Sequence, residues 1–257
     1  MNKLIILGLA AAVASPLWAI TGTIRTTNGD VKKGDIKWSS RSKSYSLTFK
    51  KGGTNVSAEY PLADVDSLEI DKPAGYDKAV ESVRRGQGAA AIGILTKIVT
   101  DYKMLQWDKP AGRYLVEAYI SANNAQKAYE VASDIIADDK TAAWKGELAS
   151  AYWLSLLKLG KTQQLEALVK KASVSGDRGA SAAALVMRGD MIIASEGEKP
   201  ETFRKALTDA YLRVMLMYTD EPCREARFEA MQKAANCFDK LGQAARAENI
   251  RSQARNI

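Results

Sequence analysis

The chain changes its hydrophobic rhythm once. From Ile20 to about Asp71, apolar and polar residues alternate with a period of two. "YSLTF" sets Tyr45, Leu47 and Phe49 on one face, and "VSAEY" does the same for Val56, Ala58 and Tyr60. Successive strand side chains point to opposite sides, so this alternation predicts half-buried β-strands. Five short strands follow: "ITGTIRT", "GDIKWS", "YSLTF", "VSAEY" and "SLEI". "TNGD" and "KKGG" supply turns, because Asn-Gly and Gly-Gly adopt positive φ at little cost. A sandwich needs more strands, so a small barrel is the economical closure. Trp38 is expected in its core rather than on a binding face.

"DKPAG", residues 71–75, breaks the alternation with one proline and one glycine and predicts a linker over 72–75. From Tyr76 onward the period becomes 3.6, and helices are predicted to the end of the chain. They repeat. Gly86, Asn123, Gly160 and Gly197 are candidate turn residues, each 37 residues after the last, and Gly242 follows 45 residues later. Five residues beyond four of these turns lie Ala91, Ala128, Leu165 and Ala247. Four residues before them lie Ser82, Tyr119, Leu156 and Phe238. Ala79, Val116, Trp153 and Ala235 lie seven before. The unit predicted is a helix, a left-handed turn residue and a second helix that approaches the first closely. "EGEKPE" predicts a longer loop at Gly197, with Pro200 near the start of the next helix.

These spacings resemble the tetratricopeptide repeat family. Ala235, Phe238, Gly242, Ala247 and Ala254 of the last unit stand at that family's small-and-aromatic positions, and "LGQAARAENI" and "LGKTQQLEAL" share its turn-to-second-helix pattern. The resemblance covers about residues 76–257. The order of the N-terminal strands, with "YPLADVDSLEI" setting a short turn before the last, resembles the SH3-like or Sm-like barrels. The fold class expected is therefore α+β: a five-stranded small barrel over 20–71, then an all-α solenoid of about five helical hairpins. The resemblance implies a scaffold. Stacked hairpins present a concave surface lined by their first helices. Aligned on the turns, Arg113 and Glu117 of the second unit and Gln232, Asn236 and Asp239 of the last would face it. The segment from Lys205 to Asn249 also resembles repeats of bacterial envelope-assembly proteins, which implies a periplasmic scaffold.

The N-terminus points the same way. Lys3 precedes an apolar run, Leu4 to Ala14, and "SPLWA" offers a small-residue exit with cleavage after Ala19, or alternatively Ala14. This is the pattern of an export signal over 1–19; an uncleaved N-terminal anchor is the competing reading. No cysteine follows for lipid attachment, and no later segment is long and apolar enough to span a bilayer. An exported, periplasmic or secreted protein is expected.

Chemistry is constrained by what is missing. The chain has no histidine, which excludes Ser-His-Asp and Cys-His catalysis, His-based metal sites and an imidazole pH switch. Cys223 and Cys237 are 14 residues apart in one predicted helix, about 21 Å along its axis, too far to pair. Buried thiols are expected. Gly160-Lys161-Thr162 imitates the end of a phosphate-binding loop, but Ser155 stands where the first glycine belongs and helical spacing precedes it. Asp138/Asp139 and Asp220/Glu221 sit near predicted helix ends, with nothing to place two carboxylates across a cleft. Trp107 and Trp153 are read as packing residues. No catalytic residue, cofactor or metal site is assigned, and the protein is read as a non-enzyme.

The formal net charge is +7. Residues 20–51 hold eight basic and two acidic side chains, and 52–75 hold one basic and five acidic. A basic face suits nucleic acid, acidic glycans or anionic lipid; export disfavours nucleic acid. The expected partner is an envelope protein or peptide. The alternatives are a glycan or mucin, suggested by the basic first half, and a place in a Tol- or Ton-like proton-driven envelope complex, suggested by family resemblance alone.

Overall fold

The computed structural model of the chain describes residues 20–257. The expected export signal, residues 1–19, lies outside the described residues. The chain divides between Asp71 and Lys72 into two compact units.

The first unit is one antiparallel sheet of β1 (Ile20–Thr26), β2 (Val31–Ser39), β3 (Ser44–Lys51), β4 (Thr54–Pro61) and β5 (Val65–Ile70), in the order β4-β3-β2-β1-β5. The alternation places Ile24, Ile36, Leu47, Tyr45 and Ile70 in its core. A 3-10 turn, Leu62–Asp64, carries the chain from β4 to β5, which then pairs with β1. Among the described residues no ladder joins the edges β4 and β5, the pairing that a closed barrel requires. Neighbouring strands approach closely at two facing glycines. Gly22 pairs directly with Gly34. A Cβ on Gly22 would lie 2.8 Å from the Glu69 carbonyl oxygen, and one on Gly34 would lie 2.4 Å from that of Thr48. No side chain fits at either place. Trp38 is half-buried, with its ring centroid 4.8 Å from that of Tyr45.

The second unit is a row of helical hairpins: α1 (Tyr76–Arg84) with α2 (Gly88–Asp101), α3 (Asp108–Ser121) with α4 (Ala125–Asp138), and α5 (Glu147–Lys158) with α6 (Thr162–Ser173). Next come α7 (Arg178–Glu196) with α8 (Pro200–Ala206) and α9 (Leu212–Met217), then α10 (Arg224–Lys240) with α11 (Ala244–Ala254). The periodic turn residues all take positive φ: Gly86 76°, Asn123 60°, Gly160 66°, Gly197 82° and Gly242 72°.

Four of these turns share one hydrogen-bond pattern. The N–H after the turn residue donates to the carbonyl four before it: Gln87 to Ser82, Asn124 to Tyr119, Lys161 to Leu156 and Gln243 to Phe238, at 2.8–2.9 Å. The turn residue itself donates three back, as Gly160 does to Leu157 at 3.1 Å. This double closure caps a helix C-terminus and reverses the chain. The repeated spacing is thus set by the cap. Ala91, Ala128, Leu165 and Ala247 then bury against the first helix of each hairpin at 0–1% exposure.

Gly197 departs from the pattern, donating to Ile193 with ψ 170°. Pro200 opens α8, where its missing N–H costs nothing. Between α8 and α9 the helix widens into a π segment, Leu207–Tyr211. Trp153 is fully buried and its indole N–H donates to the Ala143 carbonyl at 2.8 Å, which satisfies the buried donor. Among the described residues no helix is long and apolar enough to cross a membrane.

Candidate functional site

The first helices of successive hairpins neighbour one another: α1 with α3, α3 with α5, α5 with α7, and α7 with α10. At ordinary interhelical spacings of 8–10 Å, a flat row would hold α3 and α10 about 24–30 Å apart. Yet Arg113 on α3 is ion-paired directly to Glu225 on α10. The row is therefore curved, with this pair on its inner side.

A connected set of charges lines that side. Arg113 also meets Glu117 at 3.1 Å, one turn along α3. Burial works against the charged guanidinium; Glu117 and Glu225 outweigh it and lift its pKa above the usual value. Glu147 opens α5 and is exposed. Although the residue as a whole is open to solvent, protein packed around its carboxylate desolvates it and, with repulsion from Glu225, raises its pKa, while Arg113 partly opposes the shift. On α7, Asp190 accepts from Lys233 of α10 at 2.8 Å and from the Tyr211 hydroxyl at 2.7 Å. Lys233 reaches back to Glu229 at 3.3 Å. Burial raises the pKa of Glu229, as does Asp190, against the pull of Lys233. Five carboxylates (Glu117, Glu147, Asp190, Glu225 and Glu229) thus share this face with two cations, Arg113 and Lys233.

The five residues expected here from sequence fall as follows. Arg113 and Glu117 lie together in the cluster, both partly buried. Gln232 is half-buried and Asn236 exposed, on α10. Asp239, near the end of α10, pairs with Arg251 of α11. The structure adds Glu147, Asp190, Glu225, Glu229 and Lys233. Glu225 and Glu229 continue the Gln232–Asn236 stripe backward at spacings of three and four, the helical signal that would have found them. Glu147 and Asp190 carry no such signal.

Other candidates are structural. Gly160 closes a helix, Ser155 is fully buried with its hydroxyl donating to the Tyr152 carbonyl at 2.6 Å, and Lys161 lies over the Tyr129 ring at 4.3 Å. Asp138 pairs with Lys103 at 2.7 Å, Asp139 with Lys109 at 2.8 Å and Asp220 with Arg178 at 2.7 Å. Both cysteines are free and buried. Cys223 stands just before α10 rather than inside it, because Pro222 and the 3-10 turn Glu221–Cys223 delay the helix start. Burial pushes both thiol pKa values to about 11. Asp108, at the start of α3, is 2% exposed; its Oδ2 accepts from the Met104 N–H at 2.8 Å and its Oδ1 has no hydrogen-bond partner. Burial raises its pKa. Among the described residues no cluster of three or more Cys, Asp or Glu is placed to hold a metal ion.

No family model matches the chain, and no curated protein matches it. Two solved structures do. Both are of TPR-like repeats, described as nearly identical to one another, from a protein of Podosopora anserina assigned as a kinesin light chain; one carries a single substitution. Each is 13% identical, with a TM-score of 0.41, covering 71% of this chain and 92% of the other. That similarity is too low to transfer a function. What the chain is similar to is a TPR-like helical repeat.

Proposed function

We propose that the protein is a non-enzymatic scaffold whose curved row of first helices receives a segment of another protein. The observation that carries this reading is the inner polar face itself, drawn together by Arg113 and Glu225 from hairpins with two others between them. Helical repeats use such a face for recognition, and a preformed surface needs little reordering on binding. The excess of carboxylates favours a partner segment rich in lysine or arginine. In the finer form of the proposal the protein is exported and the partner belongs to the cell envelope; this rests on the N-terminal sequence pattern. Glycan binding rests on the basic first half of the N-terminal unit alone, and membership of a Tol- or Ton-like complex on family resemblance alone.

The test is affinity capture from envelope extracts with paired variants. Glu225→Lys/Glu229→Lys should lose a partner that the unsubstituted chain and Gln163→Lys, on exposed α6, both retain. Equal recovery by all three would remove the inner face from the function.

A further inference from the structure

Topology gathers five cations at one end of the sheet unit. β1 ends near Arg25, β2 begins at Lys32 and Lys33, and β3 ends at Lys50 and Lys51. Arg25 pairs with Val31 and Thr23 with Lys33, while the Asp35–Thr48 pairing sets Lys50 level with Lys33. All five side chains are exposed, and none makes an ion pair among the described residues. Three acidic residues lie nearby, Asp30 in the β1–β2 turn among the cations, and Asp64 and Asp66 by β5, and the five cations outnumber them. On the other flank β4 begins with Thr54 and Asn55, which carry no charge. Val31, 53% exposed, sits among the cations.

We propose that this end of the sheet docks on an anionic lipid bilayer. Four of the five cations are lysines, hydrated point charges that suit a diffuse headgroup field better than a shaped bidentate contact. Trp38 and Tyr45 meet with tilted rings away from the patch, and the ring beside the patch, Phe49, is half-buried, which disfavours a glycan. Lysine near an anionic surface strengthens binding about fivefold per residue, and Val31 can enter the interface between the headgroups.

The experiment is sedimentation of the full chain with vesicles of phosphatidylcholine containing about one third phosphatidylglycerol, at low salt. The chain should pellet with these vesicles, stay in solution with pure phosphatidylcholine, and be released by about 0.5 M salt. Lys32→Glu/Lys33→Glu should bind at least about twentyfold more weakly. Lys37→Glu/Arg41→Glu, with the same change in net charge, should stay within about threefold of the parent. Lys50→Glu/Lys51→Glu repeats the test should the first variant fail to fold. Equal loss in the Lys37/Arg41 variant, or equal pelleting with phosphatidylcholine alone, overturns the proposal. So does binding to dextran sulfate or single-stranded DNA through Lys32 and Lys33 without any binding to vesicles.

Discussion

Tyr211 seats its ring on the bare backbone of Gly189 and donates its hydroxyl to Asp190, the next residue, at 2.7 Å. A Cβ on Gly189 would lie 2.4 Å from the ring. Gly189→Ala should therefore destabilise the helical unit by about 1–3 kcal/mol, although alanine favours helix elsewhere. Denaturant unfolding checks it. Unchanged stability would mean that the π segment shifts to make room.

Arg113→Ala should cost more than Glu225→Ala. Removing Arg113 leaves Glu117, Glu147 and Glu225 without their shared cation, whereas Glu225 is 64% exposed and can be solvated. The coupling in a double-mutant cycle should be about 1 kcal/mol or less, since the pair is partly wet. Small-angle scattering should show a wider helical unit in Arg113→Ala.

Stability should depend on pH with opposite signs at two carboxylates. The folded pKa of Asp108 is raised, so its contribution is most favourable below the unfolded value of about 3.9 and is lost as pH rises through the folded value. Asp108→Asn should gain on the parent as pH increases. Asp220 is held at about 2 by the Arg178 guanidinium, so its contribution is present above about 3.9 and is lost as pH falls toward 2. Asp220→Asn should be most harmful near neutrality. Urea unfolding across pH 2–7 separates the two.

Cys223 and Cys237 should resist thiol reagents at pH 8 in the native protein and react fully once unfolded. Both are buried with pKa values near 11, so thiolate is scarce as well as hidden. Ellman titration with and without denaturant gives the comparison.

Gly160→Val should destabilise by about 1 kcal/mol or more, because a β-branched residue is strained at a φ of 66°. Lys161→Ala should cost about 1 kcal/mol at most, the worth of an exposed ammonium over Tyr129. Asn123→Gly, at a φ of 60°, should be neutral or stabilising. Thermal melts of the three, side by side, check the order.

The parts legible in the sequence are those governed by local rules. Period two located the strands, and the cap geometry at Gly86, Asn123, Gly160 and Gly242 located the hairpins. The lack of β4–β5 pairing was not legible, because pairing between the two edge strands is a long-range contact that no local alternation encodes. At the inner face the sequence reached Arg113 and Glu117 but not their partners. Arg113 and Glu225 are separated by 112 residues, and only the accumulated turn of two intervening hairpins brings them together. No local pattern encodes that sum.

The π segment has a consequence for the helix that contains it. Its buried residues, Phe203, Ala206, Leu207, Ala210, Tyr211 and Val214, recur at the three-and-four spacing of a single helical stripe. The wider turn at Leu207–Tyr211 puts slack in the backbone, yet all six residues still pack into one core cluster. The fourth hairpin can thus accept a residue too many without losing its seam. A deletion inside Leu207–Tyr211 should be better tolerated than one in α10, where no slack is stored.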